Sequence, residues 1–289
     1  MSNGSLFFYK YRKKNFTLKY SFILRPYFIQ DNKLDNQKMK DRRYIISGAG
    51  SGIGRAIAIK LATEGAGIIL AGRNEVKLEE TLKMLPKGNH LVVSTDIRLK
   101  KNCQEVSQIL SGCHLDGIIA NAGVGGENYY GDDDRWNEII DTNLSGTYYF
   151  VNSFLPQLKE SDGKQKHVLL TSSVLAKLGV KDYTAYCASK AGLLGLMRSW
   201  AMELASENIL VNAISPGWVN TNMAKEGMQG IANGLGISLD DFHKLAMQSV
   251  PLGRMAEPEE IAELVYYLLC QKAMTGQVLD INCGSVMSS

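Results

Sequence analysis

Residues 44–64 read YIISGAGSGIGRAIAIKLATE, which is an apolar run, a glycine-rich turn and an amphipathic stretch in direct succession. Tyr44–Ile46 predicts a buried strand, and Ile53–Glu64 has the apolar spacing of a helix. Glycines let the backbone turn tightly and approach a ligand closely. The following helix N-terminus offers free N–H groups and positive partial charge to a phosphate. The stretch therefore predicts a βα unit with a phosphate-binding turn, although such a turn can also occur without a ligand.

The rest of the chain alternates short apolar runs with longer helical stretches. Predicted strands are Tyr44–Ile46, Ile68–Ala71, Leu91–Ser94, Gly117–Ala120, His167–Thr171, Leu210–Ile214 and Val278–Ile281. Predicted helices are Ile53–Glu64, Val76–Leu85, Leu99–Leu110, Asp133–Lys159, Thr184–Ala205 and Pro258–Cys270. Continuously apolar strands are buried on both faces of a sheet. The pattern predicts an α/β fold, a single Rossmann-type doubly wound parallel sheet of about seven strands with helices on both faces. Ligands of such sheets bind beyond the carboxyl ends of the strands.

Charge separates the first 38 residues from the rest. Residues 1–38 carry eight basic and two acidic side chains, a net +6, so a total of +3 leaves −3 for residues 39–289. A mildly acidic body disfavours a nucleic-acid-binding surface. We interpret residues 1–38 as a basic extension that is a non-catalytic leader, an organelle-targeting peptide, a membrane-touching arm, or sequence upstream of a true start at Met39. Arg25 and Pro26 interrupt its apolar stretch, which argues against a secretory signal.

The remaining composition indicates a cytoplasmic protein, with organelle targeting by residues 1–38 left open. No stretch approaches the roughly 18 apolar residues that a membrane span needs. The five cysteines are odd in number and show no metal-ligand spacing: Cys103, Cys113, Cys187, Cys270 and Cys283. Reduced thiols and no metal site are the simplest interpretation.

The spacing of the turn is Gly48-x-x-x-Gly52-x-Gly54, which differs from Gly-x-Gly-x-x-Gly. Gly72-Arg73 ends the second strand, where an acidic residue would bind the ribose hydroxyls of NAD and a basic one favours the 2′-phosphate of NADP. Arg73 therefore favours NADP, with NAD as the alternative and a solvated surface arginine as the plainer interpretation. The Asp96 carboxylate, after the third strand, is a candidate partner for the adenine amino group. The small residues of Asn121-Ala122-Gly123 would admit the adenine ribose.

A candidate proton-transfer pair lies on the fifth predicted helix. Tyr186 and Lys190 are four residues apart, so their side chains share one face. A nearby ammonium stabilises a phenolate and lowers its pKa from about 10, which would let the phenol exchange a proton with an alcohol. Ser173 lies thirteen residues upstream at a strand end. Ser172 and Tyr183 nearly duplicate this pair, but Tyr183 has a cysteine four residues on, so Tyr186 is the better candidate.

From about Lys40 to Gly284 the chain resembles the short-chain dehydrogenase/reductase family, and within it the 3-oxoacyl-(acyl carrier protein) reductases. The resemblance rests on Gly48-x-x-x-Gly52-x-Gly54, Asn121-Ala122-Gly123, Asn143, Ser173, Tyr186-x-x-x-Lys190 and Pro216-Gly217, in the family's order and spacing. Ser47 replaces the usual threonine, Ser51 lacks the basic side chain that some NADP-dependent members carry, and Cys283-Gly284 replaces a closing Gly-Gly. The changes at Ser47 and Cys283 leave the predicted chemistry intact, and the change at Ser51 means that the prediction of NADP rests on Arg73.

The resemblance implies a role for each matched residue. Tyr186 is the general acid/base and Ser173 binds the substrate oxygen. Lys190 holds the nicotinamide ribose and lowers the pKa of Tyr186. Asn143 supports a water that links Lys190 to solvent, and Thr221 contacts the carboxamide. The expected catalytic residues are Asn143, Ser173, Tyr186 and Lys190, and the expected cofactor-binding residues are Ser47, Gly48, Ser51, Gly52, Ile53, Gly54, Arg73, Asp96, Ile97, Asn121, Ala122, Gly123, Tyr186, Lys190, Pro216, Gly217, Val219 and Thr221.

Two segments, Val174–Asp182 and Trp218–Val250, should shape the substrate pocket. The second is rich in Met and Gly and predicts either a glycine-hinged lid or a packed helical hairpin. Its few cations disfavour a polyanionic substrate, so a ketone, a polyol and a carrier-linked 3-oxoacyl group stay open. The resemblance also implies a homotetramer with contacts through Asp133–Lys159 and Thr184–Ala205. The predicted function is NADP-dependent hydride transfer between nicotinamide and a carbonyl or alcohol carbon; an NAD-dependent alcohol dehydrogenase and an inactive nucleotide sensor are the alternatives.

Overall fold

The computed structural model describes residues 39–161 and 165–287. The expectations for residues 1–38 lie outside this part of the chain. The strands are β1 (Arg43–Ser47), β2 (Gly67–Gly72), β3 (Leu91–Ser94), β4 (Gly117–Ala120), β5 (Lys166–Thr171), β6 (Ile209–Pro216) and β7 (Val278–Ile281). The helices are α1 (Gly52–Thr63), α2 (Glu75–Met84), α3 (Lys100–Ile109), α4 (Trp136–Ile140), α5 (Gly146–Lys159), α6 (Thr184–Glu203), α7 (Asn222–Leu235), α8 (Leu239–Gln248) and α9 (Pro258–Leu269).

All seven strands form one parallel sheet in the order β3-β2-β1-β4-β5-β6-β7. The chain order reverses between β1 and β4, which is where open α/β sheets place their ligand crevice. The predicted single-domain doubly wound fold is confirmed. None of the helices in the described part of the chain is long and apolar enough to cross a membrane.

The apolar strands are explained by a core on each face of the sheet. Ile45 of β1 and Ile69 of β2 point into a core shared with α3, α5 and α6. Tyr44 and Ile46 point the other way, into a core shared with α1 and α9. Because successive strand residues face opposite sides, two cores require an unbroken apolar run in β1. The α7–α8 hairpin has a third, small core of its own.

The helical region predicted over Asp133–Lys159 is present from Trp136 to Lys159, and its first three residues are not helical. The helix begins at Trp136, and residues Asp141–Ser145 form a π turn that separates α4 from α5. A π turn inserts one residue into a helix and commonly marks a functional site. The prediction for Thr184–Ala205 is two residues too long, since α6 ends at Glu203 and a 3₁₀ turn follows.

Candidate active site

A cavity of about 940 Å³ opens at the carboxyl ends of the strands. One end lies at the glycine turn between β1 and α1, and the other lies beside Tyr186 on α6. All of the expected cofactor-binding residues line it except Ser47 and Gly54, and of the expected catalytic residues only Asn143 does not. The fold therefore gathers residues from the loops after β1, β2, β3, β4, β5 and β6, and from segments near the C-terminus, around one continuous space.

The glycine turn leaves no room for side chains. Gly48 has a φ of +68°, and a Cβ there would lie 2.9 Å from the Cα of Ala122. A Cβ at Gly54 would collide with the carbonyl of Gly48. Ser47 is buried, and its Oγ accepts hydrogen bonds of 3.0 Å from the backbone N–H groups of Asn121 and Ala122. Ser47 and Gly54 thus hold β1, β4 and α1 together behind the turn, and the turn presents backbone to the cavity.

Two side chains that the sequence analysis did not single out brace this turn. The Arg55 Nη2 donates to the carbonyl of Gly50 at 2.5 Å, and its Nε donates to the Thr81 hydroxyl at 3.0 Å. Thr81, fully buried on α2, donates in turn to the carbonyl of Ala49 at 3.0 Å. Two carbonyl groups of the turn are thereby bonded to side chains of α1 and α2. The local sequence around the turn does not indicate this pair, because Thr81 lies 26 residues from Arg55.

The end of β2 presents a cation to the same cavity. Arg73 is exposed and lines the cavity, while Asn74 caps α2 by accepting from the Lys77 N–H at 3.0 Å. The Asp96 carboxylate binds Arg98 through several contacts, the shortest of which is 2.6 Å from Nη2 to Oδ2. Arg98 holds the pKa of Asp96 below its usual value. The contact expected between Asp96 and the adenine amino group stays a prediction. The Asp96 carboxylate already has Arg98 as a partner in the folded chain.

Tyr186 and Lys190 lie on α6, with the Lys190 Nζ 5.5 Å from the centre of the Tyr186 ring. The Lys190 Nζ donates to the carbonyl of Thr171, at the end of β5, at 2.9 Å. The Ser173 Oγ accepts the Leu175 N–H at 3.2 Å and hydrogen-bonds the Tyr186 side chain. Ser172 is buried and donates to the Lys190 carbonyl at 2.9 Å, so it packs beneath the site.

Burial dominates the protonation of this pair. It raises the pKa of Tyr186, and the hydrogen bond from Ser173 opposes that shift. Burial also lowers the pKa of Lys190 to about 8. The Lys190 ammonium is directed to the Thr171 carbonyl, and Tyr186 is half-buried at the cavity wall. The expectation that Lys190 lowers the pKa of Tyr186 during the reaction stays a prediction. At neutral pH Tyr186 is a protonated donor beside a charged ammonium.

Asn143 lies in the π turn and faces the protein rather than the cavity. Its Oδ1 accepts the Val124 N–H at 2.8 Å, and its Nδ2 donates to the Val124 carbonyl at 2.9 Å and to the Ser189 Oγ at 3.1 Å. It therefore fixes the loop after β4 against α6. A Cβ at Gly123 would lie 3.1 Å from the Asn143 Oδ1 and 3.4 Å from the Lys190 Nζ. The water-supporting role of Asn143 stays a prediction.

The far end of the cavity is mostly apolar. Its walls include Leu175, Leu178, Val180, Met223 and Ile231. The Trp218–Val250 segment forms the α7–α8 hairpin, in which Met228 and Met247 are core residues as the packed-hairpin alternative predicts. Met223 is not a core residue of the hairpin: it is 45% exposed and lines the cavity. It lies against the loop after β4, since a Cβ built on Gly125 would be 3.5 Å from the Met223 Sδ.

An ion pair fastens the loop that follows Ser173. Both oxygens of the Asp280 carboxylate, on β7, accept from the Lys177 Nζ at 2.7 Å. Lys177 directly follows the 3₁₀ turn Val174–Ala176 that Ser173 caps. The loop carrying Ser173 is therefore attached to the edge of the sheet 103 residues further along the chain.

The donor set fits a nicotinamide dinucleotide. The glycine turn offers bare backbone at the N-terminus of α1, which suits a pyrophosphate. Pro216, Gly217, Val219 and Thr221 follow β6, and Thr221 caps α7 by accepting from the Ala224 N–H. This places the start of α7 beside the turn, since a Cβ on Gly52 would lie 3.1 Å from the Thr221 Cγ2. A cofactor in the cavity would extend from Arg73 towards Tyr186.

Comparisons with known proteins agree with this geometry. The family described as enoyl-(acyl carrier protein) reductase matches residues 48–285. The 3-oxoacyl-(acyl-carrier-protein) reductase FabG of Vibrio harveyi is 32% identical over 252 residues, which cover 84% of this chain and 96% of that protein. The (3R)-3-hydroxyacyl-CoA dehydrogenase of Homo sapiens is 26% identical over 266 residues, which cover 86% and 97%.

A solved structure of actinorhodin polyketide ketoreductase with NADPH superposes with a TM-score of 0.80 at 28% identity, covering 87% of this chain and 99% of that one. The family match spans nearly all the described residues, and the glycine turn, Ser173, Tyr186 and Lys190 lie within its range. The chain belongs to the short-chain dehydrogenase/reductase family, whose members are NAD(P)-dependent oxidoreductases acting on CH–OH and C=O groups.

Proposed function

We propose that this chain is an NADPH-dependent reductase of ketones or 3-oxoacyl groups. The observation that carries the proposal is the Ser173–Tyr186–Lys190 arrangement at the apolar end of a cavity that has Arg73 at the other end. The names of similar proteins support the substrate class, since they include a 3-oxoacyl reductase and a polyketide ketoreductase.

The chain's own residues supply the proton and the orientation. The reduced nicotinamide supplies a hydride to the carbonyl carbon when it is bound. Because the Ser173 Oγ already accepts the Leu175 N–H, its own proton is available to a neighbouring oxygen. Tyr186 donates its phenolic proton to the carbonyl oxygen as the carbon gains the hydride, which completes the alcohol. The Lys190 ammonium stabilises the phenolate that remains, until a solvent proton restores the phenol.

The reduction should be constant below about pH 7 and fall as the pH rises through about 8, where Lys190 loses its charge. Below that pH the ammonium is present to stabilise the phenolate; above it that stabilisation is lost, while the phenol of Tyr186, with its raised pKa, stays protonated. A profile of kcat/KM against pH measures this. Thermal unfolding over the same range is the control for loss of structure, and a rate that rises above pH 8 would contradict the assignment.

The cofactor preference rests on Arg73. Replacing Arg73 with alanine should lower kcat/KM for NADPH by about 10- to 100-fold, the effect of one charge-assisted hydrogen bond to the 2′-phosphate, and leave NADH nearly unchanged. Lys87→Ala, at an exposed position after α2, is the matched control for lost positive charge. A wild-type preference for NADH of about tenfold or more would reject NADPH as the cofactor.

Two other functions can be distinguished from the proposed reductase by the substrates that the chain accepts. A dehydrogenase working oxidatively is supported by the name of the human relative, since one set of residues serves both directions. An enoyl reductase, the description of the matching family, would act on a C=C bond. Acetoacetyl-CoA, 3-hydroxybutyryl-CoA and crotonyl-CoA, each with both cofactors, test the three. The proposal fails if crotonyl-CoA is the only substrate reduced.

We extend the proposal to a cytoplasmic homotetramer. Its support is the apolar surface on α5 and α6, where Tyr148 and Met202 are 46% and 83% exposed. Tyr148 stacks on Trp200 with ring centres 6.1 Å apart, so the two helices already share a surface. Light scattering of the purified chain measures the assembly state.

A further inference from the structure

A second tyrosine lies in the cavity beside the proposed proton donor. Tyr183 is 7% exposed and lines the cavity next to Tyr186. Their rings meet edge to face at an interplanar angle of 89°, with centres 6.3 Å apart. The proposed reaction uses only one of these two phenols.

The hydroxyl of Tyr183 has an unused hydrogen bond. Although Tyr183 as a whole is buried, its hydroxyl oxygen keeps accessible surface, so a ligand in the cavity can reach it. Within residues 39–161 and 165–287, no side chain or backbone group hydrogen-bonds it. Its oxygen lies 3.8 Å from where a Cβ on Gly227 would be, and Gly227 also lines the cavity. The hydroxyl therefore faces the space between α6 and α7.

The neighbouring polar groups are already engaged. The Glu127 carboxylate accepts from the exposed Tyr129 hydroxyl at 2.6 Å, and Arg135 pairs with Glu138 at 2.7 Å. Burial, with the charge of Glu127, raises the pKa of Tyr183 to about 12, so its hydroxyl remains a proton donor at neutral pH. The cavity that Tyr183 lines also has apolar side chains such as Val180, Met223 and Ile231 in its wall.

We propose that Tyr183 is a specificity-determining residue whose hydroxyl donates a hydrogen bond to a second carbonyl of the substrate, next to the carbonyl held by Ser173 and Tyr186. This rests on the carbonyl reduction proposed above. A 3-oxoacyl ester or thioester has its two carbonyls one methylene apart, so each phenol has an acceptor. A simple ketone satisfies only Tyr186 and leaves Tyr183 unbonded. The preferred substrate class is thus the 1,3-dicarbonyls.

The test compares two substrates that differ only at the second carbonyl. Ethyl 3-oxobutanoate has it, and 4-ethoxybutan-2-one has a methylene in its place. Tyr183→Phe should raise KM for ethyl 3-oxobutanoate by about tenfold with kcat little changed, because the bond is equally present before and during hydride transfer. The constants for 4-ethoxybutan-2-one should not change. Tyr129→Phe, which removes an exposed hydroxyl, is the matched control.

A role limited to supporting Tyr186 gives a different result. Tyr183→Phe would then lower kcat for both substrates alike and move the pH profile, and this outcome would overturn the inference. So would an unchanged KM for both.

Binding measurements separate this inference from the proposed function. In the complex of the enzyme with NADP, which has no hydride to give, the Kd of ethyl 3-oxobutanoate should rise about tenfold in Tyr183→Phe and that of 4-ethoxybutan-2-one should not. If the wild-type enzyme reduces neither compound but shows this Kd pattern, the proposed function fails, and of the inference only the hydrogen bond from Tyr183 to the second carbonyl stands. If it reduces both compounds and the variant changes neither Kd nor KM, the inference fails and the function stands.

Discussion

Tyr186→Phe should lower kcat by about 10²–10⁴-fold, the usual contribution of a positioned general acid. The ring remains, so the packing against Tyr183 and under Lys190 is preserved, and only the proton donor is lost. Cofactor binding, followed as quenching of protein fluorescence, should stay close to wild type. The measurement is single-turnover reduction with NADPH, which reports the chemical step without product release.

The control for Tyr186→Phe is Tyr267→Phe, which removes a phenol from the exposed face of α9 and should leave kcat unchanged. More than a few per cent of residual activity in Tyr186→Phe would mean that another group donates the proton. Retained activity with Tyr183→Phe inactive would reassign the donor to Tyr183.

Gly54→Ala should abolish cofactor binding and destabilise the fold by about 1–3 kcal/mol, the cost of inserting a methyl group into a close-packed site. The new Cβ would collide with the carbonyl of Gly48 and lie within 3 Å of the Asn121 Nδ2, so the turn and the end of β4 must move apart. Chemical denaturation and titration with NADPH measure the two effects separately.

Gly234→Ala is the matched control for Gly54→Ala. Gly234 is exposed on α7, and a Cβ there would have no heavy atom within 4 Å. Alanine should be neutral or stabilise the helix by up to about 1 kcal/mol. If Gly54→Ala binds NADPH as tightly as Gly234→Ala, the turn does not form the pyrophosphate site.

The sequence predicts the sheet well because its signal is local. Each strand is an apolar run. Because both faces of the sheet are covered by helices, apolar and polar residues do not alternate along a strand such as β1. The π turn was missed because it has no compositional mark. Residues 133–159 keep their helical spacing across it, and the inserted residue is fixed by tertiary bonds from Asn143 to Val124 and Ser189.

The candidate site was predicted in its positions and less well in its electrostatics. Tyr186 and Lys190 share a face of α6 as their spacing requires, whereas the lowered pKa of Lys190 follows from a burial that the spacing does not reveal. Arg55 was passed over because its partner Thr81 lies on another helix. Asp96 was predicted to bind the adenine amino group only because it follows the third strand. In the folded chain its carboxylate pairs with Arg98, two residues away.

The ion pair between Lys177 and Asp280 makes the catalytic loop one of the last features to be completed during synthesis. The loop that carries Ser173 leaves the ribosome about 5–20 s before Asp280 does, at the usual rate of chain elongation for 103 intervening residues. During that interval β6 lacks its neighbour β7, and the loop lacks its attachment to the sheet. A nascent chain with every catalytic side chain already made therefore still lacks this ion pair.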